Sequence, residues 1–149
     1  MIIYLTGPAY TPYARRYLHD VAETLQAHGF ETILSFTPQQ DAIDAGASLP
    51  NAEIFSRRFE GIARSHALLA LMDGSQADDG VSLEIGLYHA LMFNDPGKVG
   101  IIGLMTDWRG IERKKHGCGV NLLTLGVIEE AGMMVTTLDE AVAQLQDWL

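Results

Sequence analysis

The chain contains a single cysteine, Cys118, among its 149 residues. One cysteine excludes an intramolecular disulfide and gives none of the repeated spacings that bind metal ions. Apolar runs are short, and none approaches the roughly 20 residues that a helix needs to span a bilayer. Basic residues are also scarce, since 10 Lys and Arg stand against 19 Asp and Glu, for a net charge of −9. Nucleic-acid surfaces need clustered basic residues, so we expect neither a nucleic-acid nor a membrane partner.

Cofactor and targeting motifs are missing as well. Neither a G-x-G-x-x-G fingerprint nor a P-loop is present, so no motif suggests a bound dinucleotide or nucleoside triphosphate, and we expect no cofactor. The first residues lack the basic region and cleavage site of a signal peptide, which makes the cytoplasm the expected location. A content of 48% hydrophobic and 19% charged residues is typical of a globular protein, and residues 1–149 are expected to form one domain.

Five short apolar segments alternate with segments of helical periodicity. The strands are predicted at 2–6, 32–36, 67–72, 99–104 and 133–136, and the main helices at 13–28, 51–65, 121–131 and 138–149, with one more before residue 94. Residues 37–50 show no periodicity and are predicted to be a long loop of the kind that closes over a site. The alternation predicts a doubly wound, five-stranded parallel sheet in a flavodoxin-like or Rossmann-like three-layer α/β/α fold.

The stretch after the third predicted strand contains the best single candidate for chemistry, Glu84. An acidic, glycine-containing turn precedes it, and such turns border the ligand crevice of open α/β sheets. Glu84 is expected in the first turn of the following helix, where free N–H groups favour an ionised carboxylate. A carboxylate there can act as a nucleophile or base. The alternative is that Glu84 only caps the start of the helix.

Four short motifs stand in order along the chain. They are Tyr-Leu-Thr-Gly-Pro at 4–8, Asp-x-Gly-x-x-x-Glu-Ile-Gly at 78–86, Thr-Asp-Trp-Arg at 106–109 and Val-Asn-Leu-Leu at 120–123. Together they resemble the nucleoside 2-deoxyribosyltransferase family, whose first motif reads Tyr-x-Ala-Gly-Pro. Each motif alone is a weak signal, whereas four in order over the whole chain form a fairly specific one.

The resemblance implies transfer of a 2-deoxyribosyl group between nucleobases. Glu84 matches the nucleophile that attacks the anomeric carbon and forms a covalent glycosyl-enzyme, as in a retaining glycosidase. Tyr4 matches the tyrosine that orients this carboxylate, and its alternative role is that of a core aromatic residue. Asp78 matches an acid that contacts the nucleoside, and its alternative is a turn residue. Asn121 matches an asparagine supplied to the sugar by a neighbouring subunit, and its alternative is a helix N-cap.

The remaining implied site residues belong to the same nucleoside pocket. Gly7 and Gly80 lie in the first two motifs. Trp108 could stack on a base or, as the alternative, pack within its own loop. The implied partners are a small-molecule nucleoside and a free nucleobase, bound by a homo-oligomer in which Asn121 completes the neighbouring site.

One position departs from the family pattern. The family helix before the third strand usually carries Arg-Asp-Leu-x-x-Ile, whereas residues 57–62 read Arg-Arg-Phe-Glu-Gly-Ile, so Arg58 replaces an acid expected close to the nucleobase. An arginine in the pocket favours an anionic group, and otherwise Arg58 points to solvent. Two alternatives to the transferase therefore stay open. One is an N-glycosidase that hydrolyses nucleosides or their 5'-monophosphates, and the other is a non-catalytic nucleotide-binding sensor.

Overall fold

A single parallel sheet forms the centre of the protein in the computed structural model, which describes residues 1–74, 78–107 and 119–149. The strands are β1 (Ile2–Thr6), β2 (Glu31–Leu34), β3 (Ala67–Leu71), β4 (Gly100–Leu104) and β5 (Gly132–Val135). Their order in the sheet is β2-β1-β3-β4-β5, and every neighbouring pair is parallel. This order is the flavodoxin-like one, so the predicted fold class is confirmed.

Helices cover both faces of the sheet. They are α1 (Pro12–Ala27), α2 (Thr37–Asp44), α3 (Asn51–Arg64), α4 (Asp79–Met92), α5 (Leu122–Ala131) and α6 (Leu138–Asp147). Alternate residues of the buried strands point to opposite faces. Leu5 and Leu69 therefore pack against α1 and α6, while Tyr4 and Leu68 pack against α3, α4 and α5. No helix in the described ranges is long and apolar enough to cross a membrane.

The segment predicted as a long loop contains a helix. Residues 37–44 form α2, which begins with a proline in its first turn, and the irregular connection is limited to residues 45–50. Proline is favoured in the first helical turn because its fixed φ suits the helix and its missing N–H would have no helical partner there. The helix has only two turns, so it is too short to give a readable apolar period.

The buried face of α4 differs from the predicted one. The sequence placed four apolar residues on the buried face: Leu83, Leu87, Ala90 and Leu91. In the structure Leu83 is 60% exposed, and the buried residues are Val81, Glu84, Ile85 and Tyr88. The prediction counted only apolar residues, whereas a carboxylate and a phenol occupy two positions of the true inner face.

A buried lysine fixes the C-terminal end of α3. Lys98 Nζ donates to the carbonyl oxygens of Ile62, Ala63 and Ser65 at 2.9, 3.1 and 2.8 Å. The ammonium also lies 4.8 Å from the centre of the Tyr88 ring. Burial lowers the pKa of Lys98. Carbonyl groups at the end of a helix lack helical partners, so this lysine satisfies three acceptors that are covered by the sheet.

Candidate active site

The candidate site lies at the carboxyl edge of the sheet, where β1 and β3 are neighbours. The chain leaves β1 towards α1 and leaves β3 towards α4, and α1 and α4 cover opposite faces of the sheet. Such a divergence opens a crevice, which is where ligands bind in doubly wound folds. Side chains from β1, α3 and α4 meet there around Glu84.

Glu84 is a buried carboxylate held by three side chains. Its exposed fraction is only 3%. Tyr4 donates from its hydroxyl to Oε1 at 3.0 Å, and Thr6 donates from its hydroxyl to Oε2. Arg58 donates from Nη1 to Oε1 at 3.0 Å and supplies a positive charge. Burial of an ionised group is costly unless it is paired and hydrogen-bonded, and this carboxylate has both kinds of support.

Two of these donors come from one strand. Tyr4 and Thr6 are two residues apart on β1, so their side chains project from the same face. The Tyr4 side chain is fully buried, and this burial, followed by the charge and hydrogen bond of Glu84, raises the pKa of Tyr4. The phenol therefore keeps its proton and acts as a donor. Opposite its ring lies Gly61 of α3, where a Cβ would come 2.9 Å from the Tyr4 Cε2.

The start of α4 is capped by Asp78 and not by Glu84. Asp78 is the N-cap residue, and its Oδ1 accepts from the Val81 N–H at 3.0 Å. Glu84 is the sixth residue of α4, so its predicted place in the first turn is wrong. The Asp-Gly turn ends two residues later than the sequence suggested. The alternative reading of Glu84 as a simple helix cap is wrong too, because its carboxylate bonds to side chains of β1 and α3.

Two adjoining clefts open beside Glu84. The smaller, of about 220 Å³, is bordered by Glu84 and by the apolar side chains of Ile54, Phe55, Phe59, Leu83 and Leu87. The larger, of about 470 Å³, is lined by residues that include Gly7, Tyr10, Arg15 and Asp78. Arg58 and Gly80 border both clefts. The arrangement therefore joins an apolar recess at the carboxylate to a more polar one beyond the arginine.

The structure brings together most of the residues singled out from the sequence. Tyr4 and Arg58 contact Glu84, so Arg58 does not simply point to solvent. The other three, Gly7, Gly80 and Asp78, line the adjoining clefts. The catalytic and binding roles of all these residues stay predictions.

Two predicted residues do not join this group. Asn121 caps α5, with its Oδ1 accepting from the Leu123 N–H at 2.9 Å. It lines a separate groove of about 760 Å³ between α4 and α5. Within one chain, then, Asn121 has its alternative role as a helix N-cap. Trp108 lies outside the described residues, so its stacking prediction stays open.

Sequence reasoning missed Thr6 and Tyr10. Thr6 stands where the related motif has alanine, and its spacing of two from Tyr4 was the signal that could have found it. Tyr10 lies in the loop after β1 and donates a hydrogen bond to the Asp78 carboxylate, which raises the pKa of Tyr10. Its contact with Asp78 crosses 68 positions of sequence, and nothing local predicts it. Among the described residues, no group of three metal-ligating side chains is found.

Solved structures of similar fold include two enzymes of nucleoside or nucleotide chemistry. A conserved protein from Enterococcus faecalis V583 is 23% identical, with a TM-score of 0.78 over 100% of this chain and 99% of that one. The 2-desoxiribosyltransferase from Leishmania mexicana is 21% identical, with a TM-score of 0.59 over 83% and 84% of the two chains. The CMP N-glycosidase of Clostridium botulinum is 15% identical, with a TM-score of 0.55 over 100% of both. At these identities the likeness establishes the fold alone.

The sequence itself gives the family. No curated protein matches this chain. The sequence model of the nucleoside 2-deoxyribosyltransferase family, however, matches residues 3–135. That match contains the strand that carries Tyr4 and Thr6, the helix that carries Arg58 and the acidic turn before Glu84. The chain therefore belongs to the nucleoside 2-deoxyribosyltransferase family.

Proposed function

We propose that this protein transfers a 2-deoxyribosyl group between nucleobases through a covalent glycosyl-enzyme on Glu84. Family membership supports glycosyl transfer or N-glycosidic cleavage in general. The observation that favours Glu84 as the reacting group is its position: a carboxylate only 3% exposed, held by three donors, beside an apolar cleft. A carboxylate fixed in this way has little freedom to lose when it attacks, which lowers the entropic part of the barrier.

The proposed reaction has two displacements. In the first, a Glu84 oxygen bonds to the anomeric carbon while the glycosidic C–N bond breaks and its electron pair stays with the nucleobase. In the second, the nitrogen of another base attacks the same carbon and releases the carboxylate. Each displacement inverts the anomeric configuration, so the product retains it. Tyr4 and Thr6 hold the two carboxylate oxygens and select the rotamer of Glu84.

Hydrolysis is the second candidate reaction. The fold is shared with a CMP N-glycosidase, and Arg58 places a cation at the site that could bind an anionic substrate. Against it stands the cover of the larger cleft by α2, which contributes Gln40 and Ile43. A covered site excludes water from the glycosyl-enzyme, and this exclusion favours transfer to a base.

We further propose that the active protein is a homo-oligomer with Asn121 facing the site of a neighbouring subunit. Asn121 borders the groove between α4 and α5, and not the clefts beside Glu84 of its own chain. Three leucines around that groove are strongly exposed, Leu83, Leu122 and Leu123, at 60, 74 and 79%. Clustered exposed apolar side chains are a mark of protein interfaces. The substrates in this proposal are a small-molecule nucleoside and a free nucleobase, with no cofactor.

Product analysis distinguishes the candidate reactions. The protein is incubated with 2'-deoxyinosine and adenine, and the products are separated by chromatography. Transfer yields 2'-deoxyadenosine, hydrolysis yields free deoxyribose, and a nucleotide-binding sensor yields neither. Glu84→Gln is expected to abolish product formation. Glu60→Gln is the matched control, because Glu60 is an exposed residue of α3 whose only described ion pair, to Arg64, spans 3.9 Å. Equal activity of Glu84→Gln and the wild type would refute the proposal.

A further inference from the structure

The contact between Arg58 and Glu84 places a fixed positive charge at the reacting centre. Arg58 Nη1 lies 3.0 Å from Oε1, the same oxygen that accepts from Tyr4. The Arg58 side chain is 27% exposed and that of Glu84 only 4%, so the guanidinium lies between the buried carboxylate and the clefts. This contact has a consequence for the leaving group, which rests on the function proposed above.

Charge moves during the first displacement. The Glu84 carboxylate becomes a neutral ester, and the electron pair of the broken C–N bond gives the departing nucleobase a negative charge. Arg58 cannot respond by losing a proton, because a guanidinium stays charged in proteins. In a site this buried, a cation that has lost its counter-ion is unstable unless another anion replaces it. The departing nucleobase is the anion produced at that moment.

The described residues beside Glu84 offer a cation for this purpose and no obvious acid. The carboxyl groups that line the two clefts are those of Asp78 and Glu84. Asp78 accepts hydrogen bonds from the Val81 N–H and from the Tyr10 hydroxyl, so both described contacts use it as an acceptor. Tyr4 directs its proton to Glu84. Arg58 borders both clefts and is the charged donor nearest the bond that breaks.

We propose that Arg58 is a catalytic residue that receives the departing nucleobase as an anion through its carbonyl oxygen. The preferred substrates are therefore nucleosides of oxo-bases, in particular 6-oxopurines. The planar guanidinium matches the adjacent O6 and N7 acceptors of such a base, whereas adenine presents an amino donor at the same position. The overall step is balanced: the C–N bond breaks, the bond between Glu84 and carbon forms, and the base anion takes its proton from water after release.

A 5'-phosphate is a poorer match for this guanidinium. The phosphate of a nucleotide is separated from the anomeric carbon by the sugar ring and the exocyclic carbon. Arg58 bonds to the oxygen that would attack the anomeric carbon, so it lies at the base-bearing end of the sugar. Arg15 lines the larger cleft at a place that Glu84 does not border.

The test compares 2'-deoxyinosine with 2'-deoxyadenosine, which share the sugar and the purine ring and differ at C6. For the wild type we expect kcat/KM to favour 2'-deoxyinosine by about 10- to 100-fold, the value of one to two hydrogen bonds from a charged donor. In Arg58→Gln the preference should fall to within a few-fold, and Arg58→Lys should restore part of it. Arg57→Gln is the matched control, because Arg57 is the neighbouring residue and forms an exposed pair with Glu53.

A substrate with an activated leaving group separates this role from simple support of Glu84. A 4-nitrophenyl 2-deoxyriboside releases an already stable anion, so its turnover by Arg58→Gln should stay within a few-fold of the wild-type rate. Equal losses on all three substrates, or an unchanged preference in Arg58→Gln, would overturn the inference. So would a loss of preference for 2'-deoxyinosine 5'-monophosphate over 2'-deoxyinosine, which would assign Arg58 to phosphate. If the wild type gave no Glu84-dependent product from any substrate, the proposed function itself would fail.

Discussion

Gly61 controls how closely α3 approaches the tyrosine that holds Glu84. A Cβ at this position would lie 2.9 Å from Cε2 and 3.3 Å from Cδ2 of Tyr4, and 3.1 Å from Cγ2 of Ile33. Carbon atoms in contact are normally separated by about 3.5–4.0 Å. Gly61→Ala must therefore move the helix or the ring by about 0.5–1 Å. The Tyr4 hydroxyl is 3.0 Å from Glu84 Oε1, and a shift of that size takes it to the limit of hydrogen bonding.

The expected change in stability is a balance of two effects. Overpacking of a core costs about 1–3 kcal/mol, whereas replacement of a helical glycine by alanine gains about 1 kcal/mol. The net loss for Gly61→Ala is therefore about 0–2 kcal/mol in the free energy of unfolding. Gly126→Ala in α5 is the matched control, since a Cβ there meets nothing within 4 Å. That variant should be more stable than the wild type by up to about 1 kcal/mol.

Urea denaturation measures the stability difference, and rapid quenching measures the rate at which the glycosyl-enzyme forms. Gly61→Ala should slow this rate by roughly tenfold, the equivalent of about 1.4 kcal/mol. In a Tyr4→Phe background the same substitution should cost little further activity, because both changes remove one contact. Equal stability of Gly61→Ala and Gly126→Ala, together with a wild-type rate, would refute the packing of α3 on Tyr4.

Two further substitutions test the support of the site. Thr6→Val removes the hydroxyl that donates to Glu84 Oε2, and should lower the free energy of unfolding by about 1.5–3 kcal/mol. Thr24→Val, which removes an exposed hydroxyl from α1, should change it by less than about 0.5 kcal/mol, and equal effects would argue against the Thr6 contact. Lys98→Met leaves three carbonyl groups without their donor and should cost about 2–4 kcal/mol. Arg16→Met, at a largely exposed ion pair, provides the baseline in the same urea titration, and a Lys98→Met curve that overlaid it would contradict the capping of α3.

The sheet could be predicted from the sequence because its strands are continuous apolar runs. β3 and β4 are buried along their whole length, so neither strand contains a polar position to confuse its boundaries. The family motifs lie at the ends of these strands, which is why Tyr4, Asp78 and Glu84 could be found together. The α2 helix escaped prediction because residues 37–50 contain only isolated apolar side chains.

The electrostatics of the site could not be read from the sequence. Arg58 was recognised as a departure from the family pattern, but the sequence did not show that its guanidinium bonds to Glu84 across 26 positions. Thr6 looked like an ordinary strand residue, and its contact with Glu84 spans 78 positions. Helical periodicity also failed on α4, because it assigns polar residues to the solvent side and Glu84 lies inside. Buried charge networks depend on tertiary contacts that local patterns do not encode.

Mapping of the covalent adduct tests the central claim most directly. The protein is mixed with 2'-deoxyinosine without an acceptor base, quenched in acid, digested and analysed by tandem mass spectrometry. The account expects a deoxyribosyl ester on Glu84, absent from Glu84→Gln and removed when adenine is added before the quench. A deoxyribosyl group on another residue, or steady product formation with no ester at any time after mixing, would contradict the role assigned to Glu84.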